Sequence, residues 1–65
     1  MVMVNGEQES GVIGQTIAEF LKQRNAPIDN IVVEQNGTIV HRSEFDTTKI
    51  GENDKLELIS FVGGG

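Results

Sequence analysis

The chain ends in Gly63, Gly64 and Gly65, and these residues suggest chemistry at a carboxyl terminus. Glycine has no Cβ, so a glycine backbone can enter a channel too narrow for any side chain. Such a tail would carry the α-carboxylate of Gly65, which is ionised at neutral pH because its reference pKa is about 3.3–3.7. A carboxylate is a poor electrophile and must be activated, typically by ATP, before a nucleophile attacks it. A frayed end or a remnant of expression is the alternative interpretation.

Other reactive residue types are few, which argues against an enzyme active site within this chain. The sequence has no cysteine, and this excludes disulfides, thiolate metal sites and cysteine nucleophiles. The single histidine, His41, cannot build a zinc site and is expected at the surface. Ser10 and Ser43 have no plausible base beside them in sequence. Glu7 and Glu9 fall on one face of a predicted strand, where a solvated edge explains them better than a catalytic carboxylate pair.

Length and charge limit the chain to a small acidic domain. Its 65 residues allow one domain, and 5 basic against 10 acidic residues give a net charge of −5. This balance argues against nucleic-acid binding, which needs clustered Lys and Arg. Apolar runs such as 31–33 are far shorter than the roughly 20 residues of a membrane span. No signal peptide is visible, so we expect a cytoplasmic protein that does not contact membranes.

The hydrophobic pattern predicts one helix among several short strands. Thr16 and Glu19 fit a capping box, and Ile17, Phe20 and Leu21 form one apolar stripe of a helix. Asn-Gly dipeptides predict two tight hairpin turns. The predicted strands are 1–4, 7–12, 31–34, 38–40 and 55–62, the helix is about 16–25, and a helical turn capped by Ser43 covers 43–46. One helix with four or five strands indicates an α+β layer in which the helix covers one sheet face.

The last predicted strand has two different faces. Leu56, Leu58, Ser60 and Val62 alternate with Lys55, Glu57, Ile59 and Phe61. Since one helix cannot cover both sheet faces, Ile59 and Phe61 are candidates for an exposed apolar patch that binds a partner. The alternative is that a loop covers them.

Taken together, these segments resemble the ThiS-type sulfur carrier proteins of thiamine biosynthesis. The resemblance spans the whole chain, and it is carried by 4–7, 16–21, 33–42, 54–59 and 61–65. It implies the ubiquitin-like β-grasp fold, with a mixed four- to five-stranded sheet and one main helix packed on one face. It also implies a division into a β-grasp domain, 1–62, and a flexible glycine tail, 63–65.

The resemblance also implies a function. An E1-like adenylyltransferase of the ThiF type would use ATP and magnesium to adenylate Gly65. Sulfur from a cysteine desulfurase or another donor would then give a thiocarboxylate, which thiazole synthase of the ThiG type would consume. Gly63 and Gly64 would enter the partners' active sites, and Ile59, Phe61 and Val62 would bind the partners. The chain itself would be a carrier without a bound cofactor or metal.

Two alternatives stay open. The small subunit of molybdopterin synthase shares the fold, the tail and the activation chemistry, but it usually has more chain between the helix and the last strand. A β-grasp binding module would use its sheet surface and do no chemistry at its carboxyl terminus. The tail distinguishes the binding module from the two carriers.

Overall fold

A computed structural model of the chain describes residues 1–61, which form one mixed sheet with a helix packed on one face. The elements are β1 (Val2–Val4), β2 (Glu7–Glu9), α1 (Ile17–Gln23), β3 (Ile31–Gln35), β4 (Thr38–Val40) and β5 (Lys55–Ser60), with 3₁₀ turns at Ile28–Asn30 and Arg42–Glu44. The strand order is β2-β1-β5-β3-β4. The β1–β5 pair is parallel and the other pairs are antiparallel. The predicted α+β architecture is confirmed.

Both predicted hairpin turns are present. Asn5 and Gly6 have φ of 50° and 83°, and Asn36 and Gly37 have 54° and 85°. A type I′ turn needs positive φ at both central residues, which Asn and Gly tolerate best. β2 is shorter than the predicted 7–12, because Glu9 already pairs with Val2, the first residue of β1.

The capping box begins α1 as predicted. The Glu19 N–H donates to Thr16 Oγ1 at 3.1 Å, and the Thr16 N–H donates to Glu19 Oε1 at 2.8 Å. The helix ends earlier than predicted, at Gln23, because the chain turns into the left-handed region at Asn25, where φ is 55°. The Asn25 N–H donates to the Lys22 carbonyl, and this bond closes the last turn.

The core lies between α1 and one face of the sheet, here called the inner face. Paired residues on neighbouring strands share a face, so Val4 and Leu56, and likewise Val33 and Leu58, point toward the helix. The buried side chains are Val2, Val4, Val12, Ile17, Phe20, Leu21, Val33, Val40, Phe45, Ile50 and Leu56. No polar side chain among residues 1–61 is buried with them.

The second helical segment differs from its prediction. It covers Arg42–Glu44, and its cap is His41 rather than Ser43, which lies inside the turn. The Glu44 N–H donates to the His41 carbonyl at 2.8 Å, and the His41 N–H donates to Glu44 Oε1 at 3.2 Å. Glu44 supplies the reciprocal acceptor of a capping box here, which fixes the boundary one residue earlier. Phe45 follows directly and enters the core.

Candidate functional site

The second half of β5 carries the described part of the predicted site. Ile59 and Phe61 are 51% and 48% exposed, so no loop covers them. Both lie on the sheet face opposite α1, here called the outer face, because they alternate with the inward-pointing Leu56 and Leu58. The other predicted site residues, Val62, Gly63, Gly64 and Gly65, lie outside the described residues.

The register adds apolar neighbours to this part of β5. Val32 of β3 is directly opposite Ile59 and is half-buried. Ile39 of β4 is opposite Glu34 and is 53% exposed. We call Val32, Ile39, Ile59 and Phe61 the outer-face patch. Its members come from three strands, so it is a surface of the folded sheet rather than of one segment.

An acidic pair lies within this patch. Glu34 of β3 and Glu57 of β5 are directly opposite each other on the outer face. Ile39 of β4 is opposite Glu34 on its other side, and Val32 lies two residues before Glu34 on β3. Neither carboxylate has an ion-pair partner in the part of the chain that the structure describes, where the side-chain ion pairs are Arg24–Glu9 at 2.9 Å and Arg42–Asp29 at 3.0 Å. Lys55, two residues before Glu57 on the same face, is the basic side chain of β5. The surface therefore suits a partner that offers apolar contacts and positive charge.

Hydrogen bonds from both sides hold the end of β5. On the β1 side, the Leu58 N–H donates to Asn5 Oδ1 at 2.8 Å. On the β3 side, the Phe61 N–H donates to the Asn30 carbonyl at 2.9 Å. The strand is thus fixed up to Phe61, immediately before Val62 and the three glycines of the sequence.

Asp54 fixes the start of β5. Its carboxylate accepts from the Gly51 N–H and Gln35 Nε2, both at 2.8 Å, and from Asn36 Nδ2 at 2.9 Å. Burial alone raises the pKa of the Asp54 carboxyl, but the bonds from Asn36, Gly51 and Gln35 outweigh it, and the net pKa is below the usual value. Asn36 Oδ1 in turn accepts from the Lys55 N–H at 2.9 Å, which sets the register of the strand.

Sequence analysis missed the supporting residues Asn5, Asn30 and Asp54. Asn5 was predicted as a turn residue, but its bond to Leu58 joins residues 53 positions apart, and no local pattern indicates such a bond. Val32 and Ile39 were predicted to lie in strands, but assigning them to the outer face needs the pairing register. The alternation of exposed apolar residues in β5 was the one signal available, and it pointed to Ile59 and Phe61.

The residues that sequence analysis set aside form no second site. Glu9 is paired with Arg24, whose guanidinium lies 4.9 Å from the centroid of the Phe20 ring. His41 is exposed at its helical turn. Within residues 1–61, no group of three or more His, Cys, Asp or Glu side chains could hold a metal ion, and no pocket opens on the surface.

In the part of the chain that the structure covers, neither the helix nor the turns reach the length and apolar character of a membrane span.

Comparisons with known proteins agree with this geometry. The family model described as the ThiS family matches residues 2–65. A crystal structure of the thiamine biosynthesis protein ThiS from Geobacter metallireducens superimposes with a TM-score of 0.80 and 31% identity, covering 98% of this chain and 97% of the other. The predicted β-grasp fold is thereby confirmed.

Curated relatives point to the same family. Thiazole synthases from Paramagnetospirillum magneticum and Magnetococcus marinus are 30% and 28% identical to this chain over 64 residues, or 98% of its length. The chain spans only 20% of each of these relatives. The match therefore concerns one segment of a longer polypeptide. Because the family model matches nearly the whole chain and the fold is shared, this chain belongs to the ThiS family.

Proposed function

We propose that this chain is the sulfur carrier of thiazole formation in thiamine biosynthesis, acting through the α-carboxylate of Gly65. The observation that carries the proposal is the position of the three glycines, which follow in sequence on a strand held up to Phe61 and exposing Ile59 and Phe61. The family match and the relatives named thiazole synthase support the thiamine-related role.

The proposed chemistry starts with activation. A carboxylate oxygen of Gly65 attacks the α-phosphorus of ATP on a ThiF-type adenylyltransferase with magnesium, and pyrophosphate leaves. Hydrosulfide, released from the persulfide of a cysteine desulfurase by two thiols that are oxidised to a disulfide, or supplied by another donor, then attacks the acyl carbon. The C–S bond forms as the bond to AMP breaks, and the proton of the hydrosulfide goes to solvent. The product is a terminal thiocarboxylate, whose sulfur a ThiG-type thiazole synthase takes up.

Each part of the chain has a distinct role in this scheme. The glycines place no Cβ near the reacting carbonyl, so the nucleophile reaches it without steric hindrance. The outer-face patch and the acidic pair Glu34–Glu57 provide the surface by which the enzymes hold the domain. The chain is a protein substrate rather than a catalyst, it needs no cofactor of its own, and we expect it in the cytoplasm.

Removal of Gly64 and Gly65 tests the proposal. We expect the truncated chain to form no thiocarboxylate and to support no thiazole formation in a reaction with the adenylyltransferase, ATP, magnesium, inorganic sulfide and thiazole synthase. Its thermal unfolding midpoint should equal that of the full chain, because Leu58 is the last described residue that packs against the core. Thiazole formation by the truncated chain would contradict the proposal.

The same reaction distinguishes the two remaining candidates. If the chain serves molybdopterin synthase instead, the thiocarboxylate forms but its sulfur passes only to the large subunit of that enzyme. If the chain is a binding module, it binds its partners equally well with and without Gly64 and Gly65 and never acquires sulfur.

A further inference from the structure

We propose that the open backbone edge of β5 at Leu58–Ser60 receives an extended segment of thiazole synthase as an added strand. The inference rests on the proposed function, since it names how one of the proposed partners would bind. It concerns main-chain hydrogen bonds on the β1 side of the strand, which are distinct from the side-chain contacts of the outer-face patch.

The direction of the backbone groups follows from the bonds already made. The carbonyls of Asp54 and Leu56 accept from the N–H groups of Met3 and Asn5, both at 2.9 Å, and the Leu58 N–H donates to Asn5 Oδ1. The backbone N–H and carbonyl groups of the even-numbered residues of β5 thus point toward β1. The Phe61 N–H donates to the Asn30 carbonyl, so the backbone groups of the odd-numbered residues point toward β3. The Leu58 carbonyl and the Ser60 N–H must therefore point to the β1 side.

Nothing in β1 reaches these two groups. The last parallel pair is Val4 with Leu56, and the chain then turns at Asn5–Gly6 into β2. The Asn5 side chain satisfies the Leu58 N–H, and the pairing stops there. Ser60 and its neighbours Ile59 and Phe61 are exposed. Within the described residues, β5 thus continues past its β1 partner with one edge open.

This edge differs from the two outer edges of the sheet. β2 presents Glu7 and Glu9, and acidic side chains discourage the pairing of another strand. β4 (Thr38–Val40) is uncharged, but β3 separates it from β5 and from the end of the chain that β5 leads to. The open part of β5 carries Leu58, Ile59 and Ser60, Phe61 follows directly, and none of these residues is charged. Of the two uncharged edges, the one in β5 directly precedes the glycine tail in sequence, so a strand added there would belong to a partner that receives the tail.

Thiazole synthase is the occupant that the relatives favour. In two relatives, a segment similar to this chain is one fifth of a polypeptide named thiazole synthase, so the rest of that polypeptide is its permanent neighbour. A strand added beside Leu58–Ser60 would place its outward side chains next to Ile59 and close to Glu57. The segment should therefore alternate, with apolar residues beside Ile59 and a basic residue near the Glu34–Glu57 pair.

Substitution of Ser60 separates the backbone donor from the side chain. Ser60→Pro removes the N–H on the open side and keeps the Phe61–Asn30 bond, and proline is tolerated where the strand edge faces solvent. Ser60→Ala keeps the N–H and is the matched control. We expect Ser60→Pro to weaken binding to thiazole synthase about tenfold by titration calorimetry, as loss of a hydrogen bond plus a steric block would do. Ser60→Ala should bind like the unaltered chain.

Amide hydrogen exchange of the unaltered chain gives a second measurement that needs no variant. The Ser60 amide should exchange fast in the free chain and slowly in the complex with thiazole synthase. Equal binding of Ser60→Pro and Ser60→Ala, or a Ser60 amide that stays unprotected in the complex, would overturn the inference. So would protection that arises only with the adenylyltransferase or only from self-association at high concentration.

These results are separable from a failure of the proposed function. If the Ser60 amide is protected by thiazole synthase but no sulfur is transferred, the added strand stands and the carrier function does not. If sulfur is transferred normally and Ser60→Pro binds like Ser60→Ala, only the added strand is wrong.

Discussion

β5 has two faces with opposite environments. On the inner face Leu56 is 1% exposed and packs under α1, whereas on the outer face Ile59 and Phe61 are about half exposed. Residues of similar hydrophobicity thus alternate along one strand, and burial distinguishes them. In this domain the inner face therefore supplies the apolar burial that stabilises the fold, while the outer face keeps apolar side chains in contact with solvent.

The small size of the domain makes this division sharp. A chain of this length buries only about 60% of the surface that its unfolded form exposes. Exposed Ile59 and Phe61 add apolar surface that contributes little to folding, and exposed apolar patches of this kind often mark partner sites. The acidic Glu34–Glu57 pair lies among the apolar members of the outer-face patch and interrupts it.

The largest effect on this comparison should come from two truncations in β5. Leu56→Ala removes a buried side chain and should lower the free energy of unfolding by about 2–5 kcal/mol. Ile59→Ala, which removes an exposed side chain of the outer face of the same strand, should lower it by about 1 kcal/mol or less. Urea unfolding of both variants measures the difference. Equal losses would mean that the two faces do not divide folding from binding.

Phe61 should show the opposite balance, with a smaller effect on stability than on binding. Phe61→Ala should weaken binding to the adenylyltransferase by about tenfold, since exposed aromatic residues are frequent anchors of interfaces. Its thermal midpoint should change by only a few degrees. Ile13→Ala is the matched control, because Ile13 is 54% exposed in the loop before α1. A Phe61→Ala variant that loses stability but binds normally would assign Phe61 to the core.

The smallest effect concerns pH and the register of β5. Since the folded-state pKa of Asp54 is lowered, its contribution to stability is present above the unfolded pKa of about 3.9 and is lost as pH falls through the folded value. Asp54→Asn should therefore be less stable than the unaltered chain at neutral pH, and the gap should close below about pH 4. Unfolding free energies measured across that range test this.

The pKa of the Glu19 carboxyl is also lowered, so protonation of Glu19 also changes stability at acid pH, and the comparison must account for that change. The hydrogen bond with the Thr16 backbone lowers the pKa of Glu19 most, and the hydrogen bond with the Thr16 side chain lowers it further. Both the unaltered chain and Asp54→Asn keep that contribution, and it cancels in their difference. A stability gap that does not vary with pH would show that the Asp54 network acts through geometry alone.

Local sequence patterns predicted the helix cap and the turns better than they predicted which connecting residues are buried. The capping box Thr16–Glu19 and both Asn-Gly turns are local, and the structure contains them. The burial of Phe45 and Ile50 was not foreseen, because both lie in a connection with no strand or helix periodicity and enter the core through tertiary packing.

The site was predictable only in part for the same reason. Alternation placed Ile59 and Phe61 on one face of a strand, but whether a loop covered that face depended on the rest of the fold. The bond from Leu58 to Asn5 and the pairing of Glu57 with Glu34 join distant segments, and a single sequence contains no signal for either. The chemical role of the glycine tail was inferred from residue type alone, and it stays a prediction.

Intact mass spectrometry tests the central claim most directly. The chain is incubated with the ThiF-type adenylyltransferase, ATP, magnesium and inorganic sulfide, with a parallel reaction that lacks ATP. We expect an ATP-dependent mass increase equal to the replacement of one oxygen by one sulfur, located by fragmentation at Gly65. An unchanged mass, or sulfur attached anywhere else in the chain, would contradict it.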